Sequence, residues 1–148
     1  MTRVIHAAVI AIRDGDALVL QRITSPYYVP KFEGMLKLIG GGAEEIDRDP
    51  NDTLARELLE EIEPRELAMQ IIGAARLLFT HTSYVPEANV VDNLSVFYAN
   101  VPGASNLILL EGEKAVVQWI DIPRLVGGQL MAWDHGAALR KVRLQVYP

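Results

Sequence analysis

The sequence predicts one α/β domain of the α+β kind, with strands and turns alternating around a helix. Three observations point there. The chain has 148 residues, half of them hydrophobic, which suits a single domain and allows about 68–70% of the unfolded surface to be buried. Short apolar segments alternate with turn residues along most of its length. Among them lies one clearly capped amphipathic helix. Residues 1–148 read as one unit, with no internal repeat, low-complexity tract or linker.

The elements follow in order. Val4–Ile12 is almost continuously apolar and short, as in a strand buried on both faces. Its one imidazole, His6, is expected to be a satisfied core histidine. Asp14-Gly15 signals a hairpin, because glycine readily takes positive φ, and Ala17–Arg22 is the returning strand. Ser25–Glu33, with Pro26, Tyr27, Tyr28, Pro30 and Phe32, is a loop. Leu36–Ile39 is a short strand leading into a glycine loop, Gly40-Gly41-Gly42. Asp49 suits a helix N-cap and Pro50 the first helical position. Pro64 disfavours the α conformation at Glu63, so this helix should stop near there. Gln70–Thr80 and Leu94–Asn100 read as long strands, the latter alternating, and Ala115–Ile120 as another. Ile122–Leu125 begins a turn or short helix. Asp134–Val146 has helical spacing, with Ala138, Leu139, Val142 and Val146 inward.

Composition excludes several function classes. The chain has no cysteine, so disulfides, thiolate zinc sites and cysteine nucleophiles are out. The net charge of −5 argues against coating a nucleic-acid polymer, though not against binding one nucleotide through a metal. Ile5–Ile12 is interrupted by His6 and followed by Arg13-Asp14, so no signal peptide is expected. No apolar run reaches membrane-spanning length. A cytoplasmic setting is the expectation.

The central helix carries the chemistry. At roughly 100° per residue, Leu54, Ala55, Leu58, Leu59 and Ile62 fall within an arc of about 140°, and Glu57, Glu60 and Glu61 within about 100° on the other side. Acidic helix faces are often merely solvated. Three like charges at this spacing nevertheless repel, and a hard cation such as Mg²⁺ offers compensation, since it prefers carboxylate oxygens and keeps water for a phosphate substrate. Arg56 is placed to pair with Glu60 or Asp47. Arg22, closing its strand, offers a bidentate fork to phosphate. Tyr27, Tyr28 and Phe32 are candidates to stack on a base or to pin their loop to the core. His81 is a candidate hydrogen-bond partner for substrate, with a packed histidine as the alternative.

Gly41 or Gly42 through Arg56-Glu57-Leu58-Leu59-Glu60-Glu61 resembles the Nudix box, which runs Gly, five residues, Glu, seven residues, Arg-Glu-apolar-x-Glu-Glu-x-Gly-apolar. Two registers are open. Counting back from Arg56 aligns Gly42 and puts Arg48 where an acid is expected. Counting forward from Gly41 puts Asp47 there, with one inserted residue before Arg56. The second is preferred: it keeps a carboxylate, a loop absorbs one residue at small cost, and Gly34-x-Leu36-x-Leu38-Ile39-Gly40-Gly41 resembles the stretch that precedes the box. There Leu36 stands for a tryptophan and Ile39 for a proline, while Glu63-Pro64 replaces the closing glycine and apolar residue.

The resemblance implies a Nudix-type α/β/α sandwich with a mixed β-sheet, and a pyrophosphohydrolase that cleaves a diphosphate linkage in a nucleoside diphosphate derivative or similar small molecule. It implies Mg²⁺ or Mn²⁺ on Glu57, Glu60 and Glu61 with a carbonyl from Gly41 or Gly42. Arg56 and Asp47 would form the ion pair that fastens the glycines to the helix. Glu113, ahead of Trp119, would be the loop base, with Glu60 as the alternative. A homodimer is frequent in the family. Two rivals stay open: a Nudix-fold module that binds a nucleotide without turnover, and a metal-dependent diphosphate isomerase, disfavoured by the lack of cysteine. Asp47 facing Arg56 favours the enzyme; Arg48 entering the site favours the module.

Overall fold

The computed structural model describes residues 2–110, the backbone of 115–116, and residues 131–146. The order is β1 (Arg3–Asp14), β2 (Ala17–Arg22), β3 (Leu36–Lys37), β4 (Ile39–Gly42), α1 (Pro50–Glu61), β5 (Ile62–Glu63), α2 (Arg65–Ala74), β6 (Arg76–Val85), β7 (Val90–Asn100), β8 (Ile108–Leu109), β9 (Ala115–Val116) and α3 (His135–Val146). Short 3₁₀ turns occupy Pro30–Phe32, Ala104–Asn106 and Ala132–Asp134. Among the described residues, the main sheet runs β3-β2-β1-β7-β6, with β4 also on β1 and β9 on β2. β1 and β7 pair in parallel, from Arg3 opposite Val90 to Arg13 opposite Asn100, while the other strand pairs described are antiparallel, so the sheet is mixed. A separate ribbon joins β5 to β8.

Alternation across the strands sorts side chains into two layers. Ala8, Ile10, Ile12, Phe97 and Ala99 pack with Leu54, Leu58 and Ile71 under α1 and α2. Val9, Ala11, Leu94, Val96 and Tyr98 pack with Ala138, Leu139 and Val142 of α3 on the other face. Helices therefore cover both faces, giving the expected sandwich. The β1–β2 turn has Gly15 at φ 63°, the left-handed conformation the hairpin requires. Asp49 caps α1 by accepting from the Asp52 amide at 3.0 Å, and Pro50 opens the helix.

Four expectations are corrected. The strand expected over Gln70–Thr80 is the end of α2 followed by β6. Leu67, Ala68 and Ile71 are buried at helical spacing, and the Pro64 carbonyl accepts from the Leu67 and Ala68 amides at 3.0 and 3.2 Å. The glycine loop is strand β4, pairing Gly40, Gly41 and Gly42 with Val9, Ala8 and Ala7. β7 starts at Val90, and its alternation ends at Leu94, beyond which both faces are covered up to Ala99. His6 is exposed, because burial of β1 begins only at Ala8, and it meets Asn93 at 3.2 Å through Nδ1. Of Ala115–Ile120 only Ala115–Val116 is described, as strand; Ile122–Leu125 lies outside the described residues.

Candidate active site

Arg56 organises the acidic helix. Its guanidinium donates to both oxygens of Asp47, Nε at 3.1 Å and Nη2 at 2.9 Å, and Nη2 also donates to the Gly42 carbonyl at 2.9 Å. Nη1 reaches Glu57 at 3.2 Å and Glu60 and Glu44 at 3.5 Å. Asp47 accepts in addition from the Thr53 hydroxyl and the Glu44 amide, each at 2.9 Å. These donors, the Arg56 bond first, hold its carboxyl well below the usual range. The Asp47 bond in turn raises the Arg56 guanidinium. Arg48, by contrast, is 85% exposed and pairs with Asp52 at 2.9 Å.

The fork of Arg56 ties the loop before α1 and the end of β4 to the helix. That brings Glu57 against Gly41. A Cβ on Gly41 would lie 2.6 Å from the Glu57 Cδ and Oε1, so the carboxylate occupies space that only glycine leaves open. Glu57, Glu61 and Gly40–Gly42 line one cavity of about 240 Å³. Glu60 is not on it: its side chain is 57% exposed, beside Arg56. Among the described residues, no three acidic or histidine side chains stand close enough to enclose an ion as they are. The donors Glu57, Glu61 and the β4 carbonyls are nevertheless all oxygen, the set a hard divalent cation takes, and the bare Gly41 is a cradle a Cβ would fill.

The remaining candidates scatter. Tyr28, an exposed residue, lines the cavity with its ring 4.6 Å from Tyr27 and 5.7 Å from Trp133 between ring centres. Phe32 is corrected: at 1% exposure it fills the core against Trp133 and offers no ring face to a ligand. Arg22 donates to the Gly34 carbonyl at 2.7 Å and does not line the cavity. His81 is the packed histidine of the alternative reading, 2.9 Å from Asp134 and 2.8 Å from Lys141. Glu113 and Trp119 lie outside the described residues.

Sequence reading missed the far side of the cavity, where Gln21, Lys37, Asp92, Trp133 and His135 join Tyr27 and Tyr28. Lys37 is buried and donates to Gln21 Oε1 and the Gly40 carbonyl, each at 3.2 Å. His135 accepts the Leu38 amide on Nδ1 at 3.0 Å. Burial, then the charge of Lys37, lowers its pKa well below the ordinary value. It is therefore neutral at pH 7, with its hydrogen on Nε2. Burial pushes the Asp92 carboxyl up to about 6. A charged residue inside an apolar strand pattern was the available signal for Asp92. The same signal marked Lys37, between Leu36 and Leu38; nothing local marked His135, which joins them through tertiary structure.

A model of the NUDIX domain matches residues 2–142. No curated protein matches the sequence. Among solved structures, a MutT protein from Methanosarcina mazei Go1 is similar at TM-score 0.77 and 14% identity, over 99% of this chain and 98% of that one. The NUDIX domain of Shewanella oneidensis NrtR, solved with ADP ribose, is similar at TM-score 0.66 and 18% identity, over 99% and 89%. The E. coli dihydroneopterin triphosphate pyrophosphohydrolase is similar at TM-score 0.71 and 14% identity, over 95% and 96%. At these identities the likeness shows the fold. Among the described residues, no helix is long and apolar enough to cross a membrane.

Proposed function

This chain belongs to the Nudix family, and we propose that it is a pyrophosphohydrolase that cleaves the diphosphate linkage of a nucleotide derivative with a divalent cation, Mg²⁺ or Mn²⁺, as cofactor. The observation that carries the reading is the Glu57 carboxylate laid against the bare Cα of Gly41. Glu57 and Glu61, with the Gly41 carbonyl, would hold the cation. Once bound, such an ion neutralises charge on the phosphate oxygens and lowers the pKa of a bound water.

The protein's own groups supply positioning. Arg56 is a positioning residue: its bonds to Asp47 and to the Gly42 carbonyl hold β4 against α1. Lys37 adds a buried positive charge at Gly40, suited to a phosphate oxygen. Glu113 is the proposed acceptor of the proton from the attacking water, with Glu60, which stands off the cavity beside Arg56, as the alternative. Water adds in line to one phosphorus and the other phosphate leaves. The arrangement of Asp47 and Arg48 supports hydrolysis over a binding module, since Asp47 faces Arg56 while Arg48 points away. Small molecules with a diphosphate linkage, such as the ADP ribose and dihydroneopterin triphosphate of the structural relatives, are the first compounds to try. A cytoplasmic location belongs to the same proposal.

The test is phosphate or nucleotide release over a panel of diphosphate compounds with Mg²⁺ and Mn²⁺. Turnover should require metal. Glu57→Gln should lose about a hundredfold or more in kcat, the scale of removing one preorganised electrostatic group. Glu113→Gln, or Glu60→Gln under the alternative, should lose at least about tenfold. Metal-independent turnover, or a fully active Glu57→Gln, sinks the assignment.

A further inference from the structure

The cavity that holds Glu57 and Glu61 at one end has a carboxylate at the other that the hydrolytic reading does not use. Asp92 lies on β7 opposite Ile5 of β1 and Ser83 of β6. Its side chain is 2% exposed, and its buried Oδ1 has no hydrogen-bond partner. Burying a carboxylate oxygen without a donor is costly, and such groups are rare in folded proteins. Asp14 shows the ordinary solution, accepting from the Ser105 amide at 3.0 Å and its hydroxyl at 2.6 Å. Asp92 is one of the residues lining the cavity, so a ligand that enters can supply the missing donor.

The walls suit a flat ring. Trp133 Nε1 donates to the Tyr27 hydroxyl at 2.9 Å, which fixes both rings and satisfies the indole N–H. Trp133 is also held at φ 59°, an unusual conformation for a bulky residue and one that clusters at ligand sites. Tyr28 leans on it. At about 240 Å³ the cavity sits just below the usual range of about 300–1,000 Å³ for whole ligands. It takes a ring system, with the phosphates lying toward its open acidic end.

We propose that Asp92 is a specificity-determining residue that receives two adjacent N–H donors of a planar heterocycle, a 2-amino-4-oxo pyrimidine ring as in guanine or a pterin. An ionised carboxylate has two acceptor oxygens and no donor. The ring edge it complements carries a ring N–H beside an exocyclic amino group. Adenine and cytosine offer a donor beside an acceptor, and uracil a donor between two acceptors; each would face the carboxylate with a lone pair. The oxo group of the favoured ring needs one donor, and neutral His135, with hydrogen on Nε2, lines the same cavity. Only the direction of the phosphate tail rests on the hydrolase reading.

The test is calorimetric binding of guanosine, inosine and adenosine, without metal, to the wild type and to Asp92→Asn. Guanosine should bind the wild type at least about tenfold tighter than adenosine, equivalent to 1.4 kcal/mol. It should also bind about tenfold tighter than inosine, which lacks only the 2-amino group. Asp92→Asn, with one acceptor and one donor, should bring the guanosine-to-adenosine ratio to about one or invert it. Equal binding of guanosine and inosine to the wild type, or no binding of any nucleoside, overturns the proposal whether or not the variant folds. A preference that survives in folded Asp92→Asn overturns the role of that residue. Nucleosides carry no diphosphate, so this outcome is independent of hydrolysis. Turnover of diphosphates without preference for guanine would sink this inference alone.

Discussion

Asp47 and Asp92 are both almost covered, with side-chain or residue exposures of 5% and 2%, yet they are opposite objects. Asp47 accepts from a guanidinium fork, a hydroxyl and an amide, and its carboxyl is held low. Asp92 keeps a buried oxygen without a donor, and desolvation raises its carboxyl to about 6. Burial alone therefore says little about what a carboxylate does. The donors around it decide. A satisfied acid fastens the scaffold, and an unsatisfied one beside a cavity is poised for something from outside. The two ends of the cavity should accordingly fail separately.

The largest effect expected is at the acidic end. Gly41→Ala adds a Cβ 2.6 Å from the Glu57 carboxyl carbon, and the carboxylate must move by roughly an ångström. Displacements of about 1 Å at a reacting centre can cost about a hundredfold. We expect metal-dependent turnover to fall by at least about that factor. Guanosine binding at the Asp92 end should stay within about twofold of wild type. Measured kcat on the best diphosphate and calorimetry on the nucleoside separate the two readouts. Undiminished kcat would show that the Glu57–Gly41 contact is incidental.

A smaller effect should appear in stability. The folded pKa of Asp92, about 6, exceeds the unfolded reference of 3.8. A raised carboxyl contributes its stability in full below the unfolded value and loses it as pH rises through the folded one. A shift of about two units is worth on the order of 2–3 kcal/mol. Asn stays neutral throughout, so Asp92→Asn should gain on the wild type by about that amount between pH 4 and pH 8. Urea unfolding at both pH values reads the difference. A flat difference would mean that the wild-type carboxylate has found a donor. Asp47 runs the other way: its stability is present above the unfolded pKa and is lost as pH falls through its lowered folded one.

How far each region was legible follows from the range of the interactions that make it. The Arg56 cluster could be read because Gly41, Asp47, Arg56 and Glu57 lie within one short stretch of chain that resembles a known family motif; helix periodicity by itself marked only the acidic face of α1. The hairpin at Gly15 and the cap at Asp49 were legible because their signals are local. The Asp92 end was not. It assembles Lys37 of β3, Asp92 of β7, Trp133 of a 3₁₀ turn and His135 of α3, and only the fold brings these together. The error over Gln70–Thr80 was local in origin: an apolar run was read as one long strand, while Leu67, Ala68 and Ile71 carried the helical period. His6 shows the converse limit, since an apolar pattern continues past the point where the helices stop covering β1.

The smallest effect is expected where the two registers of the glycine-to-helix motif diverge. One register places Arg48 at the acid position of the motif; the other places Asp47 there, one residue earlier. The structure puts Asp47 under Arg56 and turns Arg48 outward onto Asp52, with 85% of its side chain in solvent. Exposed pairs of this kind contribute little because solvent screens them and ordering two long side chains costs entropy. Asp52 also keeps its place in the first turn of α1 without its partner, since its amide is held by Asp49. Arg48→Ala should therefore leave the melting temperature within experimental error and kcat/KM within about twofold. A loss of tenfold or more would place Arg48 on the substrate or on the motif, and the register that aligns Gly42 would have to be preferred over the one that aligns Gly41.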